Sequence, residues 1–496
     1  MLGYDAIIFD LDGTLWDTKD SYLYAYHQVL KNHPEITDIK TDEEVQGTMG
    51  LTLDIVGKQI FGDYFNIPQI MAECLQYSCE YLLANPSTIK ESVVKTLNKL
   101  KNDIKLFIVS NCPKEYIQVF LKKLNDNSIF KDYRYLTPIT SKKTNIAGII
   151  NDYSIKKCLM VGDSHIDYEA CSSNNIDFAF IDSGYRTAQN YNYKITGLSE
   201  LIDVVDFVKR RDKILRGCYF YKMLNYNDAQ LTIMKNKQQN GADYIFGFWR
   251  YSSISENNNK LMEALDKYLK ANNIKSIVGP VDCCTWFKYR LAVDCFDLKL
   301  LPDIDNSREQ VDFLLEKGFT KKCEYSSKIS SLDYSLWERL KKLKLDSSYS
   351  VCTYHNQECF EHIKDIYEIS IDCFADSYLY VPITFENFKE LYVDGLKCPN
   401  PDVVIIYHRS MPVAFSLCYD DKFNNMYVSK TVGIKKDYQN GALIGKLTCA
   451  SYECMHKKGY NHVVLHFQND EKRILPRIYK NSILKQKHYW IFEREV

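Results

Sequence analysis

Ala6-Ile7-Ile8-Phe9-Asp10-Leu11-Asp12-Gly13-Thr14-Leu15 is the stretch that decides the fold. Four apolar residues, Ala6 to Phe9, stop at Asp10. A second carboxylate, Asp12, follows two residues on, and Gly13 and Thr14 turn the chain. Short apolar runs bounded in this way read as buried strands of a parallel sheet. In open α/β sheets, ligands sit beyond the carboxyl ends of such strands. Two acids at that point, with no basic residue beside them, invite a divalent cation. The competing reading is a strand end capped by solvated acids.

Three more runs repeat the pattern: Leu106–Val109, Cys158–Val161 and Phe178–Ile181. Helical stretches separate them, which is a βαβ rhythm and predicts a parallel sheet. Ser110 and Asn111 follow the second run. Gly162, Asp163 and Ser164 follow the third, with Asp167 four residues beyond Asp163. Between these two sets, Ser141-Lys142-Lys143-Thr144-Asn145-Ile146 opens a helix.

Phe9-Asp10-Leu11-Asp12-Gly13-Thr14-Leu15 resembles the first motif of the haloacid dehalogenase (HAD) superfamily of phosphohydrolases. The other three sets match its second, fourth and third motifs, in the family's order. The resemblance implies a Rossmann-like α/β domain over residues 1–208 with Mg2+ as cofactor and a small phosphorylated metabolite as substrate. It makes Asp10 the nucleophile that forms an aspartyl-phosphate, and Asp12 the acid and then base. Ser110, Asn111 and Lys142 would bind the phosphoryl group, the Lys-x-x-Asn-Ile spacing favouring Lys142 over Lys143. Asp10, Asp12 (through its carbonyl), Asp163 and Asp167 would hold or adjoin the metal, and hard oxygen ligands suit Mg2+. The insert at about 17–85 reads as helices, at Tyr22–Leu30, Leu51–Phe61 and Ile70–Leu83. It is similar to the C1 cap of phosphoglycolate-phosphatase-like members. Within it, Gly47-Thr48-Met49-Gly50 either faces the site or simply makes a turn.

The chain has 496 residues, too many for one core. A formal net charge of -1 supplies no global pull toward nucleic acid or an anionic membrane. No apolar run reaches the roughly 18 residues of a membrane span. The first strand begins within a few residues of Met1, so no signal peptide is expected. The 17 cysteines are scattered, without a CxxC pair or a Cys/His set at zinc spacing. Reduced thiols in a cytoplasmic protein are expected.

Val205–Arg211 reads as a charged helical exit from the first domain. In residues 209–345 the pattern gives a strand at Tyr244–Arg250, a helix at Leu261–Leu269 and a strand at Ser276–Val278. A helix at Gln310–Lys317 and a strand at Cys323–Ile329 follow. The end of this region is similar to the end of the GCN5-related N-acetyltransferase (GNAT) fold, and predicts a degenerate GNAT-like half. Trp286 and Arg290 either line a site or pack.

Residues 346–496 carry a sharper pattern. Strands at Val403–Tyr407, Val413–Tyr419 and Met426–Ile434 form an antiparallel meander. Lys436-Asp437-Tyr438-Gln439-Asn440-Gly441-Ala442-Leu443-Ile444-Gly445-Lys446-Leu447 leads into a helix from about Leu443 to Lys458, and a strand follows at His462–Phe467. This order resembles the acetyl-CoA core of GNAT proteins, where backbone N–H groups at a helix start bind the CoA pyrophosphate. The resemblance implies an α+β acyltransferase domain using acetyl-CoA or another acyl-CoA. It places the cofactor at Val432, Ile434, Gln439, Asn440, Gly441, Ala442, Ile444 and Gly445. Gln439 matches the family's loop. Ala442 and Ile444 stand where glycines are usual, and Gly441 and Gly445 are each shifted by one residue. Leu475–Tyr479 resembles the segment whose tyrosine acts as general acid, which makes Tyr479 the candidate. Glu453, His466 and Asp470 remain alternatives for the base.

The expectation is a bifunctional phosphatase and N-acyltransferase. Two alternatives stand beside it. One is a phosphatase with a non-catalytic GNAT-like module. The other resembles FkbH-type proteins, which load a phosphorylated three-carbon unit onto an acyl carrier protein.

Overall fold

The run at residues 6–9 is strand β1 (Ala6–Phe9), whose four side chains are fully buried. It lies in a computed structural model of the chain that describes residues 2–62, 66–85, 89–183, 186–236, 241–301, 305–394, 399–469 and 482–496. Contacts divide the chain into two units. One is Met1–Arg216 with Asn225–Ala229, and the other is Gly217–Leu224 with Gln230–Val496.

In the first unit β1 is followed by α1 (Lys19–Asn32), α2 (Asp42–Gln46), α3 (Leu53–Phe61), α4 (Ile67–Ala84) and α5 (Glu91–Leu100). Then come β2 (Lys105–Val109), α6 (Lys114–Leu124), β3 (Asp132–Arg134), α7 (Lys142–Asp152) and β4 (Cys158–Gly162). The unit continues through α8 (His165–Ser172), β5 (Asp177–Ile181), β6 (Tyr193–Ile195) and α9 (Leu201–Leu215). The six strands form one parallel sheet in the order β3-β2-β1-β4-β5-β6. Ile7, Phe9, Leu106, Ile108, Leu159 and Val161 pack on one face. Ala6, Ile8, Phe107, Val109, Cys158 and Met160 pack on the other. Burial on both faces is why the strands read as unbroken apolar runs rather than alternating ones. Each such Leu, Ile or Phe contributes roughly 2 kcal/mol through burial. Because the strands are parallel, the residues after β1, β2 and β4 meet at one edge, beside the point where strand order reverses.

Helices α1 to α4 form the insert, with a core of their own that includes Tyr26, Val29, Val56, Ile60, Ile70 and Met71. Helix α2, which the sequence reading passed over, starts at a capping box. The Thr41 side chain accepts from Glu44 N, and the Glu44 carboxylate accepts from Thr41 N.

In the second unit the strands are β7 (Phe220–Tyr226), β8 (Ala229–Lys235), β9 (Ile245–Arg250), β10 (Ser276–Gly279), β11 (Leu291–Ala292) and β12 (Thr320–Ser331). They continue as β13 (Tyr349–His355), β14 (Asp402–His408), β15 (Met411–Asp421), β16 (Met426–Ile434), β17 (His462–Asn469) and β18 (Ile483–Glu495). The helices are α10 (Ser255–Ala271), α11 (Arg308–Glu316), α12 (Tyr334–Lys341), α13 (Ile363–Cys373), α14 (Phe385–Lys389) and α15 (Gly441–Lys457). One mixed sheet runs β13-β14-β15-β16-β17-β12-β18-β10-β9-β8-β7, and β11 pairs with β18. Strand β12 inserts between β17 and β18, antiparallel to both. The sheet is therefore continuous across residue 345.

Among the described residues, no helix is long and apolar enough to cross a membrane. No disulfide joins the described cysteines.

Candidate active site

Asp10 ends β1, and its N–H donates to Val161 O at 2.9 Å, which holds it in the ladder one residue past the strand. Lys142 opens α7, whose N-cap is Ser141, with Ser141 and Thr144 forming a capping box. Its Nζ reaches Asp10 Oδ1 at 2.7 Å and Asp167 Oδ1 at 2.6 Å. Lys143 is exposed, and Lys142 is only 7% exposed. Asp167 is the N3 residue of α8 and completes a capping box. Its Oδ2 accepts from Ser164 N at 3.1 Å and Ser164 Oγ at 2.6 Å. One side chain thus caps a helix and holds the Lys142 ammonium. Gly162 leaves room for it, because a Cβ there would lie 2.4 Å from Asp167 Cγ.

Asp10, Asp163 and Asp167 bring carboxylate oxygens within 4.8 Å of one another, and all three residues are buried. Burial, together with the charges of Asp167 and Asp12, pushes the Asp10 carboxyl up to about 7 against the pull of Lys142. Burial and the charges of Asp167 and Asp10 push Asp163 up to about 8. Burial opposes the charge on Lys142, yet Asp10 and Asp167 outweigh it and hold the ammonium above the ordinary lysine range. Three carboxylates therefore face one ammonium. Asp163 makes no hydrogen bond to a described residue, and Asp10 Oδ2 is likewise left open. A divalent cation fits this set, since it would supply the missing positive charge to hard oxygen donors.

Asp12 lies beyond Asp10 in a turn where Gly13 adopts φ 72°. Trp16 Nε1 (2.9 Å), Thr18 Oγ1 (2.9 Å) and Tyr116 Oη (3.0 Å) donate to its Oδ1, and Cys112 Sγ (3.1 Å) donates to Oδ2. Burial first, and then the Asp12 charge, keeps the Cys112 and Tyr116 protons in place. The sequence reading missed all four donors. Trp16 and Thr18 lie four and six residues from Asp12 with no motif to mark them, while Cys112 and Tyr116 arrive from the end of β2 and from α6. Ser110, 3% exposed, ends β2, and its N–H donates to Arg134 O. Asn111 Nδ2 donates to Gly50 O at 3.3 Å, which links the sheet edge to the insert. Thr14 Oγ1 is buried with no hydrogen-bond partner among the described residues, a donor close in sequence to both acids.

The residues picked out in the second unit lie on β16, α15 and the turn between them. Val432 and Ile434 pair with Ser416 and Ala414 of β15. Gln439 Nε2 donates to Ile434 O at 3.5 Å. Asn440 is the N-cap of α15, its Oδ1 accepting from Ala442 N (3.1 Å) and Leu443 N (2.9 Å). The helix begins at Gly441, two residues before the expected start. Ile444 is buried, and a Cβ on Gly445 would lie 2.5 Å from Leu343 Cδ1. These two positions thus serve helix packing, because they fall inside α15 rather than in a loop. Tyr479, the Leu475–Tyr479 segment and Asp470 lie outside the described residues. The Glu453 carboxylate accepts a weak bond from Cys449 Sγ, and His466 Nδ1 meets Ser327 Oγ at 2.8 Å. Trp286 packs among Phe374, Tyr380 and Phe388, its Nε1 donating to Val381 O. Arg290, 4% exposed, has its guanidinium over the rings of Phe467 and Tyr289.

A second group of ligand-type side chains joins His355, Asp402 and Cys454. Here the carboxylate is already satisfied. His355 Nδ1 meets Asp402 Oδ1 at 2.7 Å, and Tyr427 Oη and Lys458 Nζ each meet Oδ2 at 2.6 Å. It ties β13, β14 and β16 to the end of α15.

Residues 7–181 match the haloacid dehalogenase-like hydrolase family. A phosphoglycolate phosphatase of Colwellia psychrerythraea is 24% identical over 204 residues, which cover 38% of this chain and 88% of that protein. A solved haloacid dehalogenase-like chain from Bacteroides fragilis is 23% identical. The match covers 40% of this chain and 99% of that one, at a TM-score of 0.36. A haloacid dehalogenase-like family protein from Streptococcus pneumoniae is 20% identical over 40% of this chain and 98% of that one, at a TM-score of 0.35.

Proposed function

We propose that the haloacid dehalogenase-like hydrolase domain of the first unit hydrolyses a phosphomonoester through a phospho-Asp10 intermediate. What carries the reading is the convergence of Asp10, Asp163, Asp167 and Lys142 at the carboxyl edge of the parallel sheet. Lys142 occupies Asp10 Oδ1 and leaves Oδ2 to attack phosphorus. The phosphorus–oxygen bond to the leaving alcohol breaks, and Asp12 gives that oxygen a proton. Asp12 then takes a proton from the water that attacks the aspartyl-phosphate. Its ring of four donors fixes the direction of its carboxylate for both transfers. Lys142 and Ser110, with the Thr14 hydroxyl, donate to the phosphoryl oxygens. A Mg2+ ion held by Asp10, Asp163 and the Asp12 carbonyl would neutralise phosphoryl charge.

The test is phosphate release from a panel of phosphorylated metabolites with Mg2+, run with and without acetyl-CoA. The name of the Colwellia protein brings phosphoglycolate into that panel. Mg2+-dependent release that Asp10→Asn abolishes supports the reading, and undiminished turnover in Asp10→Asn removes it. If Mg2+ binds and no free metabolite is hydrolysed, a carrier-bound substrate becomes the better reading.

For the second unit one observation favours acyl-CoA binding. Strands β16 and β17 pair in parallel only from Tyr427–Ser429 with Val463–Leu465, and each then runs on without the other. An acyl thioester would lie where the strands part, with its pyrophosphate toward the start of α15. The Asn440 cap already takes two N–H groups there, so binding is expected to be weak. Calorimetry with acetyl-CoA tests this, and no heat at high concentration removes the acyltransferase.

A further inference from the structure

We infer that the phosphatase site accepts monophosphate esters of neutral, apolar alcohols, and that the insert of α1 to α4 selects them. The assignment rests on the phosphatase reading above and narrows its substrate.

A space of about 780 Å³, part of it open to solvent, begins at Asp12 and runs into the insert. Ala25, Val56, Ile60, Phe61 and Met71 of the insert are among the residues that line it. Asp12 is the group that protonates the leaving oxygen, so the leaving alcohol occupies this space. Among the described residues that line it, none is Lys, Arg or His.

Several of its polar side chains already have partners. Tyr22 Oη meets Thr48 Oγ1 at 2.8 Å, Ser78 Oγ donates to Ser21 Oγ, and Asn111 Nδ2 donates to Gly50 O. Burial pushes the Cys74 thiol up to about 12, so it stays neutral. Arg186 does not line the space; its Nη2 donates to Gly47 O at 3.1 Å, and its buried Nε has no hydrogen-bond partner among the described residues. A carboxylate on the leaving group would lose its water among these mostly apolar walls. An alkyl or aryl group would lose only unfavourable hydration.

The test is kcat/KM for phosphate release by the full chain with Mg2+ across ethyl, butyl, hexyl and octyl phosphate, beside phosphoglycolate and p-nitrophenyl phosphate. The expected result is a rise of about fourfold per added methylene until the space is filled. Phosphoglycolate should fall at least tenfold below butyl phosphate. Ala25→Leu and Val56→Phe, on different helices, should each lower the octyl-to-ethyl ratio at least tenfold. If neither variant folds, the wild-type series alone decides. A flat series, or a preference for phosphoglycolate, overturns the assignment and leaves the phosphatase reading standing. No phosphate from any ester, p-nitrophenyl phosphate included, overturns both.

Discussion

Lys142 Nζ lies 2.7 Å from Asp10 Oδ1, an ion pair closed across 132 positions of sequence, with both side chains under a tenth exposed. The same ammonium also holds Asp167. Removing it leaves buried carboxylates without their cation, which typically costs about 3–5 kcal/mol. Lys142→Met is expected to lower kcat about 10²–10³-fold and to lower the melting temperature of the first unit. Mg2+ should restore part of the stability and little of the rate. A variant with normal kcat would remove Lys142 from the phosphoryl site.

Asp12 has a separate role, and its environment separates it from Asp10. Donors from Trp16, Thr18, Tyr116 and Cys112 surround it, whereas Asp10 has one cation and one open oxygen. Asp12→Asn should keep the hydrogen-bonded turn and lose proton transfer, with kcat falling about 10²–10⁴-fold. Water activation is lost with it, so phospho-Asp10 should accumulate and be visible by acid quench and mass spectrometry. Trp16→Phe removes one donor and keeps the ring packed on Tyr116 and Phe120, so a loss of only a few-fold is expected. Full activity in Asp12→Asn would transfer the acid–base role elsewhere.

Much of the first unit was legible because its signals are local. An apolar run followed by an acid gives a strand end, and Ser164-x-x-Asp167 gives a helix start. That parallel strand ends share an edge follows from topology alone. The ring around Asp12 was not legible, since Tyr116 is contributed by a helix face that reads as ordinary amphipathic packing. In the second unit, strands of the meander matched their apolar runs, but their partners did not announce themselves. Strand β12 contains Ser326-Ser327-Lys328-Ile329-Ser330, all buried, so no alternation marks a core face. Its place rests on backbone ladders to two strands more than a hundred residues away. Gly441 and Gly445 read as a glycine loop, whereas Asn440 caps a helix that swallows both.

Gly162 shows how a strand end and the site are coupled. Its φ is ordinary, so space rather than conformation demands glycine. A methyl group there would meet Asp167 Cγ at 2.4 Å. Asp167 would have to swing away, releasing Lys142 and the Ser164 cap together. Gly162→Ala is therefore expected to lower kcat about tenfold or more while costing about 1–3 kcal/mol of stability. Phosphate-release kinetics and thermal melts on one preparation check it. Wild-type kinetics would show that the edge yields without moving Asp167.

The insert carries a pH-dependent tie of its own. His33 meets Glu73 Oε2 at 2.9 Å and Glu35 Oε1 at 3.2 Å, joining the end of α1 to α4. The hydrogen bond to Glu73 and then that to Glu35 raise its pKa. A raised folded-state value means the contribution is complete below about 6.5, the unfolded value, and is lost as pH rises through the folded one. Hydrogen exchange in α1 and α4, corrected for intrinsic rates, should show more protection at pH 6 than at pH 8. His33→Gln should flatten the difference. An equal difference in that variant would place the pH response elsewhere.

Asp163 provides the test of the cation. It is the one acid of the three with no hydrogen bond to a described residue, held 5% exposed beside two other carboxylates. Removing its charge relieves repulsion in the metal-free protein. Asp163→Asn should therefore be at least as stable as the wild type without metal. With Mg2+ at about 100 times its Kd, binding should stabilise the wild-type first unit by about 2.7 kcal/mol. That corresponds to a rise of about 5–10 °C in its melting transition. The variant should show little or none of this rise, because it has lost a hard anionic ligand and kept the fold. Scanning calorimetry of both proteins, with EDTA and with Mg2+, reads the difference directly. An equal rise in the two would place the ion away from Asp163, and no rise in either would leave the three carboxylates without the counter-ion their burial calls for.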